Sequence, residues 1–212
     1  MFKDHLVFSS PESLRLHSAA VYLIMLRNFA QAVDLLQRVI ELELEAGCDT
    51  TVLVMLYLQL AQVNSLADQP LQAEHSYRQA LDLCREYLTN ASIHAHTLLY
   101  LFTHLCFHQR FAEAKQIGEE LLQVDQGHEH LGLQTHTFVL MQIGQLSQVL
   151  NLRAVANSYF QRAIIGFDEL MGEGNGYSQA LRRACIQNSC ASPADLNALL
   201  KQSAADDSSD LT

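Results

Sequence analysis

Ala73-Glu74-His75-Ser76-Tyr77-Arg78-Gln79-Ala80 is the stretch whose reading decides the fold. Ala73, Tyr77 and Ala80 are spaced i, i+4, i+7, so they share one face of a helix. A small residue lets a second helix come close, and a large residue one turn later fills the neighbouring groove. The same small-x3-large-x2-apolar frame recurs as Ala32-Leu36-Val39, within the run that starts Asn28-Phe29-Ala30-Gln31-Ala32. It recurs again as Ala156-Phe160-Ala163, and as Ala114-Gly118-Leu121, which departs from it at the middle position. The anchor alanines at 32, 73, 114 and 156 advance in steps of 41, 41 and 42 residues. Near-equal steps of this length mark a repeat array.

A second helical pattern starts about 16 residues before each anchor. It reads Leu16, Ala19, Ala20, Leu23 in the first repeat and Tyr57, Leu60, Ala61 in the second. In the third it is Leu98, Leu101, Phe102, Leu105, and in the fourth Leu140, Ile143, Gly144. Each repeat is therefore a helix A, a turn and a helix B, spanning about 13–47, 50–90, 92–126 and 130–171. Ser10 before Pro11 reads as an N-cap with proline at the first helical position. Turns inside repeats fall at Asp68-Gln69-Pro70 and His108-Gln109-Arg110. Links between repeats fall at Gly47-Cys48-Asp49, Thr89-Asn90-Ala91-Ser92 and Asp125-Gln126-Gly127-His128. Residues 1–12 form an N-terminal extension. Capping helices are expected over 177–202, one from Tyr177 to Asn188 and one from Ser192 to Gln202, because the last hydrophobic face of an array needs a cover. An acidic, small-residue tail over 203–212 is expected to be disordered.

The triplets Ala73-Tyr77-Ala80 and Ala156-Phe160-Ala163 resemble the tetratricopeptide repeat, in a long-period variant of about 41–42 residues. The resemblance covers roughly residues 13–170. It implies an all-α, right-handed superhelical solenoid of four helix pairs with a C-terminal capping helix. It also implies a concave binding face built from the A helices. Carried over position by position, the partner groove would be Met25, Met55, Leu58, Gln62, Leu99, Tyr100, Phe107, Phe138, Met141 and Gln145, with His17, Gln59 and Leu66 beside them. No Lys or Arg belongs to this set. The cationic clamp by which some repeat domains hold acidic chaperone tails is therefore missing. An apolar, methionine-containing groove suits an apolar or amphipathic segment of another protein.

Composition limits the alternatives. The chain has 212 residues and a formal charge of −10, with 13 Lys plus Arg. A phosphate-binding surface needs a basic stripe, and none is present, so nucleic acid is not an expected partner. Five cysteines without a Cys-x-x-Cys pair read as reduced thiols, which fits a cytoplasmic location. No apolar run reaches membrane-spanning length, so no membrane contact is expected. A homodimer stays open.

Candidate chemistry is sparse. His104 and His108 share a helix face, with His94 nearby. Zinc needs three or four convergent ligands, and this spacing supplies neither an intervening acid nor a cysteine pair. His128, His130 and His136 form a second group in a link. Cys185-x4-Cys190 reads as two separate thiols. Glu41, Glu43 and Glu45 read as a solvated face. No cofactor, metal or catalytic residue is assigned, and the chain is not expected to be an enzyme. The expected function is a scaffold or adaptor. The alternative is a dedicated chaperone or regulator that sequesters one partner, of bacterial secretion or signalling type. The remote alternative is a metal-dependent enzyme on the His94, His104 and His108 region.

Overall fold

A computed structural model describes residues 7–87 and 90–189. Among these there are nine α-helices and no strand. They are α1 Pro11–Met25, α2 Phe29–Glu45, α3 Thr50–Leu66, α4 Pro70–Tyr87, α5 Ala91–Phe107, α6 Phe111–Val124, α7 Gly132–Val149, α8 Arg153–Met171 and α9 Gly176–Ser189. One 3-10 turn, Gln126–His128, precedes α7. The expected helix over 192–202, the tail over 203–212 and Cys190 lie outside the described residues. The chain divides into two compact units, Met1–His104 and Leu105–Thr212, and α5 runs across the division.

The four triplets form the buried face of helices α2, α4, α6 and α8. All four anchor alanines are fully buried, as are Leu36, Val39, Ala80, Leu121 and Ala163. In the C-terminal unit the close approach is explicit. A Cβ added to Gly144 in α7 would sit 2.4 Å from the ring of Phe160 in α8. One added to Gly166 would sit 2.2 Å from the hydroxyl of Thr137. The aromatic of helix B thus lies directly against the glycine of helix A, which is the packing that the small-large frame demands.

The turns repeat as faithfully as the helices. Arg27, Asp68, Gln109 and Asn151 all adopt left-handed backbone, with φ between 57° and 59°. Each ends helix A in a Schellman motif: the next residue's N–H reaches back to the carbonyl of Leu23, Asn64, Leu105 or Ser147 at 2.8–3.0 Å. That same next residue then accepts the first N–H bond of helix B, from the anchor alanine itself, at 2.9–3.2 Å. The left-handed residue stands five positions before the anchor in every repeat. Turn and crossing are thereby fixed in one register.

The first and last described helices use other devices. At the N-terminus, Ser10 caps α1 by accepting from the Ser13 N–H, and Pro11 takes the first helical position. At the C-terminus, α9 packs against α8 and fulfils the expected capping role. Phe138 of α7, Phe167 of α8 and Tyr177 of α9 stack and edge into one ring cluster, with centroids 4.7–5.8 Å apart. Gln148 and Asn157 hydrogen-bond Asn188 at 2.8 Å and complete the cover.

Two stability outcomes follow from this packing. Gly144→Ala forces a methyl group into a ring that is itself buried, and should cost about 1–3 kcal/mol in urea unfolding. The double variant Gly144→Ala with Phe160→Leu should recover part of that loss. Gln109→Gly relieves a left-handed backbone worth about 1–2 kcal/mol, less glycine's own entropy, and should raise stability by about 0.5–1 kcal/mol.

Candidate functional site

The expected groove residues are divided between the two units. In the N-terminal unit Met25 is 77% exposed, Gln62 is exposed, and Met55, Leu99 and Tyr100 are half-buried. Tyr100 lies parallel to Tyr77 of α4, with ring centroids 6.4 Å apart. In the C-terminal unit Phe107 is 82% exposed, Gln145 is exposed, and Phe138 and Met141 are half-buried.

Two of these assignments need correction. Leu58 is 7% exposed and belongs to the core, not to an open groove. Helix α3 is internal to its unit: it packs against both α2 and α4, and nine of its seventeen residues are buried. The apolar stripe on such a helix is wider than a single amphipathic face. Phe138 is occupied by the ring cluster with Phe167 and Tyr177, so its edge is already covered by the capping helix. Part of the inner face is also used internally, since His17 of α1 and Gln59 of α3 hydrogen-bond at 2.7 Å.

A different regularity emerges at the C-terminal ends of the A helices. Met25, Leu66, Phe107 and Val149 are the second residues before the left-handed turn residues in α1, α3, α5 and α7. They recur in steps of 41, 41 and 42, and are 77%, 58%, 82% and 58% exposed. Sequence reasoning found Met25 and Phe107, placed Leu66 beside them, and missed Val149. The turn spacing was the signal that would have found it.

Two clefts lie beside the B helices. One of about 550 Å³ opens between α2 and α4 above α3, within the N-terminal unit. Another of about 470 Å³ lies between α8 and α9, beside the Arg182–Asp168 ion pair. In the second, burial pushes the Cys185 thiol above its usual range, so it is a poor nucleophile near neutral pH.

Among the described residues no three His, Cys, Asp or Glu side chains converge as a metal site would require. Buried His104 packs against Tyr77, ring centroids 5.4 Å apart. Asp125 is fully buried and organises the α6–α7 link. Its carboxylate accepts from the N–H groups of His130 and Leu131, at 2.8 and 3.0 Å, and pairs with Nδ1 of His136 at 2.8 Å. This arrangement holds a turn.

Glu43 corrects the expectation of a solvated acidic face. It is fully buried, and its carboxylate accepts from the N–H and hydroxyl of Ser9 at 2.8–3.2 Å. Burial pushes this carboxyl up, and the hydrogen bonds from Ser13, Ser9 and Cys48 outweigh it, so the net effect lies below the usual value of 4.5. The neighbouring Cys48 thiol is pushed up to about 11, by burial first and then by Glu43. Glu41 and Glu45 are exposed, as expected.

No family model matches the chain, and no curated protein matches it. Solved structures do. The apo form of RapI is similar over 84% of this chain and 48% of its own, at 14% identity and a TM-score of 0.67. The chain thus spans about half the length of that protein. The TPR-like repeats of a putative kinesin light chain from Podosopora anserina are similar over 94% of this chain and 96% of theirs, at 14% identity and 0.64. A Rap conjugation gene regulator solved with a peptide is similar over 81% and 52%, at 13% identity and 0.50.

The acid clamp has a measurable consequence. Because the Glu43 carboxyl is depressed in the folded state, its contribution is present above about pH 4.5 and is lost as pH falls through the lower folded value. Glu43→Gln should therefore lower the melting temperature at neutral pH, by the equivalent of about 1–3 kcal/mol for an unsatisfied buried donor. The gap to the unaltered protein should shrink as melts are carried to acid pH, through the lowered folded value of the carboxyl. The triplets, the turns and these likenesses give one result: the chain has the tetratricopeptide-type helical-repeat fold.

Proposed function

We propose that this chain is a binding protein, not an enzyme, and that each of its two units holds an apolar, neutral or basic segment of another protein against the exposed ends of its own A helices. The observation that carries the reading is the exposed set Met25, Leu66, Phe107 and Val149, one at the same phase of every repeat. An isolated exposed apolar residue is ordinary, whereas a recurrent set is the mark of an interaction surface. The half-buried Met55, Leu99 and Met141 and the exposed Gln62 and Gln145 add adaptable apolar and amide contacts nearby on the same helices. A charge of −10 steers basic or neutral partners and disfavours nucleic acid.

The narrower alternative is a dedicated chaperone or regulator that sequesters one partner. Its support is the likeness to Rap-type structures, one of which was solved holding a peptide. No described helix is long and apolar enough to cross a membrane.

The reading is tested by placing a photoreactive amino acid at position 107 and, separately, at position 25, and identifying the crosslinked protein. Both sites should yield the same partner. Met25→Ser with Phe107→Ser should weaken its binding by more than tenfold, as loss of aromatic anchors does, with helical circular dichroism unchanged. Wild-type affinity in this double variant would move the partner to another surface. A single partner at one-to-one stoichiometry would favour the sequestering regulator over the adaptor.

A further inference from the structure

The α8–α9 cleft repeats the α2–α4 cleft position for position. Counted from the anchor Ala156, its α8 residues Gln161, Ile164, Ile165 and Asp168 stand 5, 8, 9 and 12 places on. Counted from Ala32, the α2 residues Gln37, Ile40, Glu41 and Leu44 of the first cleft stand at the same four places. The step of 42 that leads from Ala114 to Ala156 leads on to another alanine, Ala198. Arg182 and Cys185 on α9 fall 16 and 13 places before Ala198, as Tyr57 and Leu60 on α3 fall before Ala73. Helix α9 therefore takes the place of a fifth helix A. In the first cleft a third wall comes from the next helix B, α4, through Leu71 and His75 among others. The α8–α9 cleft has no such wall among the described residues, and Ala198 lies outside them.

The side chains on the open side differ accordingly. Nine places after the anchor, the other B helices carry Glu41, Asp82 and Gln123, all exposed and polar. Helix α8 carries Ile165 there, 68% exposed even with α9 in place. A β-branched residue brings nothing to an exposed helix position, whereas apolar surface in a cleft is stabilised by a cover. The matching place on the following helix B is two residues after its anchor. It holds His75, Gln116 and Ser158 opposite the three polar residues, and Leu200 opposite Ile165. Polar is matched with polar three times, and the one apolar residue is matched with leucine. Leu196 likewise falls at the place of Leu71, two before the anchor. Ala198-Gln202-Ala205 renews the small-x3-large-x2-small frame. The turn departs from the pattern. Pro193 stands five places before Ala198, where the other four turns have a left-handed residue, and its ring holds φ at about −65°. Helix α9 ends at Ser189, nine places before the anchor, whereas the other A helices end seven before theirs. A foreign segment would have to displace one held on a short tether from Ser189, at an effective concentration on the order of millimolar.

We infer that the segment from Asp195 to Ala205 is helix B of a fifth repeat, and that it seats Leu196 and Leu200 in the α8–α9 cleft against Ile165, Cys185 and Ile186. This closes the cleft to partners from within the chain. It does not depend on the reading of the A-helix ends as a binding surface.

The test follows amide hydrogen exchange by NMR in the full chain, against a synthetic peptide of residues 192–205. The amides of Leu199 to Ala205 should exchange more than about tenfold more slowly in the chain than in the peptide. Leu196→Asp with Leu200→Asp should abolish that protection and move the signals of Ile165, Cys185 and Ile186, with the amides of α7 still protected. Adding the peptide to this variant should return those three signals toward their original positions. Ile165→Glu should weaken the protection, and Ile165→Glu with Leu200→His, which installs the pair found in the first cleft, should restore part of it. Peptide-like exchange over Leu199 to Ala205 in the unaltered chain overturns the inference and leaves the cleft to a partner. Protection that survives Leu196→Asp with Leu200→Asp overturns it too. Protection that falls on dilution, together with a dimer in sedimentation, gives the cleft to the segment of a second copy and overturns the seat within one chain.

Discussion

Where α8 crosses α7 the two helices come too close for a side chain at position 144: the glycine there accepts an aromatic ring directly against its backbone, and the anchor Ala156 has no exposed surface. The anchors Ala32, Ala73 and Ala114 are fully buried as well. Protein interiors are packed near the density of crystals, so such a contact cannot be loosened locally. The large member of each triplet fills the space that the small one opens. The third repeat has Gly118 where the others have Leu36, Tyr77 or Phe160, yet its anchor Ala114 and Leu121 stay fully buried.

Register passes from turn to crossing through the backbone. The left-handed residue directs the chain, and the residue after it receives a bond from the anchor alanine, so the anchor's place is set before any side chain packs. None of the four left-handed residues is glycine. The strain is tolerated because packing on both sides of the turn over-determines it. At the first and last described helices different devices appear. Glu43 ties the segment before α1 to α2 through Ser9, while α9 covers α7 and α8 with a ring cluster and an amide network. A buried carboxylate without a cation is expensive unless several donors meet it, and three serine and cysteine neighbours do so here.

The helix pairs, the anchor frame, the Ser10 cap and the capping helix were all legible in the sequence, because each is a local pattern with a fixed period. What escaped was whatever depends on the identity of a neighbour. Glu43 alternates with Glu41 and Glu45 and looks solvated, since only the fold brings Ser9 to it, 34 positions away in the chain. Leu58 sits at a groove phase but is enclosed because α3 is flanked on two sides. Phe138 sits at a groove phase too, and the atypical last helix reaches it as no ordinary repeat would. Val149 escaped for the opposite reason: groove positions were carried over from a family pattern, whereas its phase is set by the turn at Asn151.

The phase of the exposed set also separates a binding role from a local one. In a Schellman motif the stabilising apolar contact joins the residue after the left-handed position to the one three places inside the helix end. The residues at those positions here are Asn28 with Leu23, Gln69 with Asn64, Arg110 with Leu105 and Leu152 with Ser147, each pair joined by a backbone hydrogen bond. Met25, Leu66, Phe107 and Val149 fall between the members of each pair and take no part in them. Nor does helix propensity ask for Phe107 and Val149, since phenylalanine and valine are poorer helix formers than the alanine or lysine that would serve at an exposed site. Four side chains of different shape share only their apolarity and their place. A surface that must meet an apolar partner requires both properties, and the fold by itself requires neither.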